Sequence, residues 1–165
     1  MSTLATGNLK GHFQNNLGNV LAKEFNNAVN DQAFEKGDIL VVGKSGDSLG
    51  KLRLATAGDV GPFYFCKEDK ATTLTRVWVL AQRGQRVSVV TDNTLTPLCT
   101  VKPSTSNDGH VMKLVEGSGT ADDVMEAAIG IYQFISANIP MGGAGTAITN
   151  ATAGTVVDID LIGAP

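Results

Sequence analysis

Apolar residues in this chain come in short runs, and glycine, asparagine and small polar residues separate them. Ile39-Leu40-Val41-Val42 is continuous and apolar, as in a strand covered on both faces. The segments 49–54, 60–66, 75–80, 87–90, 95–101, 110–115 and 131–135 carry further strand chemistry. Val157-Asp158-Ile159-Asp160-Leu161 alternates and predicts a half-buried strand at the end of the chain. Pro62 suggests an edge or a bulge, and Pro97 interrupts its own segment. Turns are expected at Gly43–Ser48, Arg83-Gly84 and Asp92-Asn93. Longer loops are expected at Lys102–Gly109 and Met141–Gly145. One short helix is expected from Thr120 through Ala128, with Thr120 as cap and Asp122 and Asp123 at its positive end. Roughly eight to ten short strands joined by Gly-rich turns predict a mainly β fold, a small barrel or a sandwich.

Residues 1–36 follow a different pattern. Asparagine is dense, and Phe13, Leu17, Leu21, Phe25 and Val29 step by four, a single stripe if the segment is helical. Asparagine lowers helix propensity. The stripe suits a helix packed on its own domain, or an arm buried against another subunit. The arm is the preferred reading, with Phe13, Leu17, Leu21 and Phe25 as its interface residues. The expected organisation is an arm or short helical segment over 1–36 and a β-rich domain over 37–165.

A short echo marks the β-rich part. Ala55-Thr56-Ala57-Gly58 is repeated as Ala151-Thr152-Ala153-Gly154, with Val60 and Val156 at matching positions. Each copy predicts a tight turn that launches a strand, with glycine supplying positive φ. The echo reads as one local solution used twice, because too little of the intervening chain matches for a duplication.

Composition narrows the function more than it narrows the fold. The 165 residues carry a net charge of -3 and a pI of about 5.3, which gives no electrostatic footprint for nucleic acid or anionic membrane. No apolar run is long enough for a membrane-spanning helix, and no secretory signal is expected at the N-terminus. Cys66, Cys99, His12 and His110 have no zinc spacing, and the cysteines read first as buried thiols. Gly43-Lys44-Ser45 lacks the upstream glycine of a phosphate-binding loop. Val111-Met112-Lys113-Leu114 resembles a biotin-carrier core but has strand rhythm. Asp158 and Asp160 share a strand face, where two carboxylates could serve as acid and base or hold a cation. The simpler reading makes them the solvent face. No catalytic residue, cofactor or metal is assigned, and the chain is not expected to be an enzyme.

Three stretches together resemble the decoration, or head cement, proteins of tailed viruses with HK97-type capsids. They are Gly37–Gly43, Ala127-Ala128-Ile129-Gly130 and the closing Asn150–Leu161. The resemblance covers about residues 37–165. It implies a tulip-like β-barrel that forms a homotrimer on the capsid outer surface, with the major capsid protein as partner and assembly in the host cytoplasm. It further implies an N-terminal arm reaching over the shell or onto a neighbouring subunit. The chain would bridge capsomers and stabilise the shell. The alternative is a host-recognition module, a fibre tip or glycan-binding domain, in which Trp78 or Tyr132 would stand exposed beside a polar groove.

Overall fold

The computed structural model describes residues 23–80, 86–115, 128–135 and 150–162. Two antiparallel sheets of five strands each organise them. The first holds β1 (Lys23–Phe25), β2 (Ile39–Val42), β3 (Leu52–Leu54), β4 (Phe63–Cys66) and β5 (Val77–Leu80), in the order β1-β5-β4-β2-β3. The second holds β6 (Arg86–Val90), β7 (Thr100–Pro103), β8 (Val111–Lys113), β9 (Gly130–Ile135) and β10 (Val156–Leu161), in the order β6-β10-β9-β7-β8. The mainly β expectation holds. The short helix expected over Thr120–Ala128 lies outside the described residues, apart from Ala128, which is itself not helical.

Both sheets curl until their edges come together. In the first, Ala28 forms a parallel bridge with Leu52 of β3. Leu52 N donates to Asn27 O and Val29 N donates to Leu52 O, each at 2.9 Å. The same stretch of chain began as β1 on β5, at the opposite edge, so one segment bending at Asn26 serves both edges. In the second sheet, Thr91 just after β6 bridges Val111 of β8, and Asp92 N donates to Val111 O at 2.9 Å. Joining the edges in this way satisfies backbone groups that an open sheet would present to other chains.

Side-chain alternation then sorts the core in two. Ile39 and Val41 of β2, with Phe63 and Phe65 of β4, point to the second sheet and pack with Val87, Val89, Val101, Val111, Tyr132, Val157 and Ile159. Their neighbours Leu40 and Cys66 point the other way, into the curl of the first sheet, with Leu52, Val77 and Val79. Ala28, Val29 and Phe34 fill that curl. The first sheet is therefore buried on both faces, which is what the unbroken apolar run at 39–42 anticipates.

This packing moves the expected domain boundary. Residues 23–36 contribute strand β1, the bridge at Ala28 and the buried Phe34, so the β-rich unit begins well before residue 37. Phe25 lies in a strand paired with Val77, and Val29 is core, so a helical stripe does not run through them. Phe13, Leu17 and Leu21 lie outside the described residues.

The echoed turns share a geometry. Asp59 N donates to Thr56 O at 3.1 Å, and Thr155 N to Thr152 O at 3.2 Å. Gly58 and Gly154 both have φ of 80°, the value at the third position of a type II turn. The second copy runs straight into β10. The first reaches β4 only after the cis Gly61-Pro62 bond.

Candidate functional site

The residues with chemical potential in the sequence are held apart in the structure, each by a bond of its own. Asp158 was expected at the solvent face but is 1% exposed. Ser88 Oγ donates to its Oδ1 at 2.6 Å, which offsets the cost of burying the carboxylate. A register shift between Asp158 and Ile159 in the β10–β9 pairing breaks the simple alternation that the sequence suggests. Asp160 takes a bidentate contact from Arg86, at 2.8 Å from Nε and 3.1 Å from Nη2. The two aspartates are thus tied to different partners on β6. Met112 and Lys113 lie in β8 rather than at a turn, against a carrier role.

The richest polar cluster centres on Asp92, which sequence reasoning read only as a turn residue. Its carboxylate accepts from Ser104 Oγ and Asn107 N on Oδ2, and from Asn107 Nδ2 at 3.0 Å on Oδ1. His110 Nδ1 lies 2.7 Å from the same Oδ1. Burial pushes the Asp92 carboxyl up, but the bonds from Ser104, His110 and Asn107 outweigh it and hold the group below its ordinary value. Serine, histidine and aspartate meet here, yet in the wrong order for nucleophilic catalysis. A reactive serine hydroxyl must donate to the imidazole, whereas this one donates to the carboxylate. The cluster fastens the loop at 104–110 to the end of β6. Gly109 in turn ties that loop to the first sheet, accepting from Ile39 N at 2.8 Å and donating to Ala55 O at 2.9 Å. The expected free loop at 102–109 is therefore a strap: Lys102 and Pro103 belong to β7, and Ser104 is 2% exposed.

Lys70 is a second surprise. Lys67–Lys70 reads as a solvated charged loop, but Lys70 is 2% exposed. Its Nζ donates to Gln32 O at 2.7 Å and Ala71 O at 3.2 Å, and sits 4.6 Å from the centre of the Phe34 ring. Burial lowers its pKa, and the nearby Asp31 partly offsets this. The cysteines are free thiols in separate surroundings. Burial pushes the Cys66 thiol up to about 12, so it stays protonated and donates to Glu68 O.

An open groove of about 330 Å³ lies between residues 29–32 and the β2–β3 hairpin, lined by Val29, Asp31, Asp47, Ser48, Lys51 and Arg53 among others. Arg53 is occupied by a fork to Asp59, at 2.8 and 2.6 Å. Neither Asp158, Asp160, His110 nor Glu68 reaches this groove. Trp78 is half-buried and does not line it, and Tyr132 is wholly buried. Among the described residues no group of three or more His, Cys, Asp or Glu side chains is placed to hold a metal ion.

No family model and no curated protein matches the chain. Among solved structures, it is similar in fold to the N base of the head fibre protein gp8.5 of bacteriophage phi29. The TM-score is 0.54 at 13% identity, over 85% of this chain and 93% of that one. At that identity the likeness establishes a shared fold.

Proposed function

We propose that this chain is a structural virion protein of a bacteriophage, bound to the outside of the assembled head. In this reading it contacts the major capsid protein, bridges capsomers as a homotrimer and stabilises the shell. The observation that carries the reading is the fold shared with a phage head fibre base across most of both chains. The polar clusters are in keeping with it. Asp92, Asp158 and Asp160 are each committed to bonds that join strands and a loop of the second sheet, and none of them lines the groove. A ligand that binds only the intact shell stabilises it by mass action, and many weak copies suffice when each bridges several subunits. Phe13, Leu17, Leu21 and Phe25 remain the proposed arm contacts, with Phe25 doubling as part of strand β1.

The test uses heads of the virus that encodes the chain, prepared with and without it. Heads carrying it should release DNA at a higher temperature. Deleting residues 1–22 should leave the fold intact and weaken binding. Equal thermal release with and without the protein would refute the cement role. Host recognition ranks second. The polar groove favours it, but neither Trp78 nor Tyr132 stands beside that groove.

A further inference from the structure

The groove between residues 29–32 and the β2–β3 hairpin has a fixed shape, because bonds tie its two walls together. Val29 N donates to Leu52 O, and Leu52 N to Asn27 O, each at 2.9 Å. Asn27 Nδ2 donates to Gly50 O at 3.1 Å, and Leu54 N donates to Gln32 Oε1 at 3.0 Å. The closing of the first sheet therefore builds the groove, and no ligand is needed to form it. Its polar side chains are for the most part uncommitted. Asn30, Asp47 and Lys51 line it and make no hydrogen bond or ion pair with any described residue. Asp31 feels only the charge of Lys70. Gln32 accepts from Leu54 N through Oε1, which leaves its Nε2 to donate. Arg53 is the exception, since Asp59 already holds it and balances its charge.

This mixture of groups narrows the class of ligand. With Arg53 paired, Asp31 and Asp47 against Lys51 leave the groove net negative. That disfavours phosphates, nucleic acid and acidic sugars. Val29 is the one apolar side chain in the lining and is 8% exposed, so a protein or lipid partner finds no apolar anchor. Among the described residues no three His, Cys, Asp or Glu side chains gather to hold a metal ion. Polyols that carry no negative charge match what is left. Each hydroxyl both donates and accepts, so neighbouring hydroxyls pair with a carboxylate and an amide side by side. The volume of about 330 Å³ is at the small end of ligand pockets, roughly 300–1,000 Å³, which suits a short saccharide.

We propose that this groove binds a neutral or amino-bearing saccharide unit of the host surface, with Asp31 and Asp47 accepting from its hydroxyls and Asn30, Gln32 and Lys51 donating to them. The proposal rests on the host-recognition reading above and gives it a ligand class. It is compatible with the shell-binding role, since a protein held to the head by another face presents the groove outward. No aromatic ring among the described residues lines the groove, so a single copy binds weakly, and many copies on one head supply avidity.

The test titrates the full chain by NMR with the methyl glycosides of glucose, galactose and mannose, with glucosamine and with glucuronate. Glucosamine and at least one neutral glycoside should bind. Glucuronate should bind about fivefold or more weakly than glucosamine, which has the same ring but the opposite charge. Asp47→Ala and Asn30→Ala alter exposed side chains without partners, so the unfolding midpoint should stay where it is. Asp47→Ala should weaken sugar binding about tenfold or more, and Asn30→Ala about threefold or more. If no probe binds, or if binding survives both substitutions unchanged, the groove is not a saccharide site and the proposal fails. If glucuronate binds more tightly than glucosamine, the charge argument is wrong and the proposal falls with it. Adsorption to host cells of heads with and without the chain tests the underlying reading separately. Better adsorption with the chain upholds host recognition even where the groove has failed. Equal adsorption overturns host recognition, and with it the assignment of the saccharide to the host surface.

Discussion

Replacing Phe34 by alanine tests whether the segment before β2 belongs to the fold. Phe34 is 1% exposed inside the curl of the first sheet, against Leu40, Leu52, Val77 and Val79 as cluster neighbours. Its backbone pairs both ways with Lys70, at 3.0 and 2.8 Å, and its ring lies under the Lys70 ammonium. Removing a buried phenylalanine ring costs about 3–5 kcal/mol through lost transfer energy and the cavity left behind. The lost ring–ammonium contact adds roughly 0.5–2 kcal/mol, and water reaching Lys70 returns part of it. A net loss of about 4 kcal/mol is a large share of the ~5–15 kcal/mol that holds a domain of this kind folded. Guanidinium unfolding followed by tryptophan fluorescence and by circular dichroism should show the midpoint falling by roughly 1 M, with both probes coincident. If residues 1–36 were an arm lying outside the domain, Phe34→Ala would cost less than about 0.5 kcal/mol. A change that small would refute the packing of 26–36 into the first sheet.

Two other outcomes follow from the same structure. Gly154→Ala should cost about 1–2 kcal/mol in denaturant unfolding. A Cβ there meets nothing within 4 Å, so the loss is purely that of a positive φ at the turn; an unchanged midpoint would contradict the turn. Acid should destabilise the domain through Asp59 and Asp92. Burial pushes each carboxyl up, yet the bonds from Arg53 and Thr56 on one, and from Ser104, His110 and Asn107 on the other, hold both below 3.8. Their stabilisation is complete above that unfolded value and is lost as pH falls through the lower folded values. Asp38 acts oppositely: burial raises it, so its contribution is greatest in acid and fades as pH rises through the folded value. Urea midpoints from about pH 5 to about pH 2 should therefore fall, and the combined Asp59→Asn and Asp92→Asn variant should flatten that fall.

The sequence alone determined the β class, the places of most strands and the two echoed turns. Those features are local. Apolar runs of strand length, and glycine where φ must be positive, need no distant partner to be recognised. Three matters were decided only by tertiary structure. The boundary at residue 36 was misplaced because Phe34 and Ala28 gain their burial from strands far along the chain. Lys70 and Asp158 read as solvated because burial of a charged residue depends on groups from elsewhere, Gln32 O for one and Ser88 for the other. The Asp92 cluster was invisible because Asp92, Ser104 and His110 meet only once β6 and β8 come together at the edge of the second sheet. Local chemistry wrote the strands and turns. The closing of each curled sheet chose which polar groups would be enclosed, since that choice depends on contacts between segments distant in the chain.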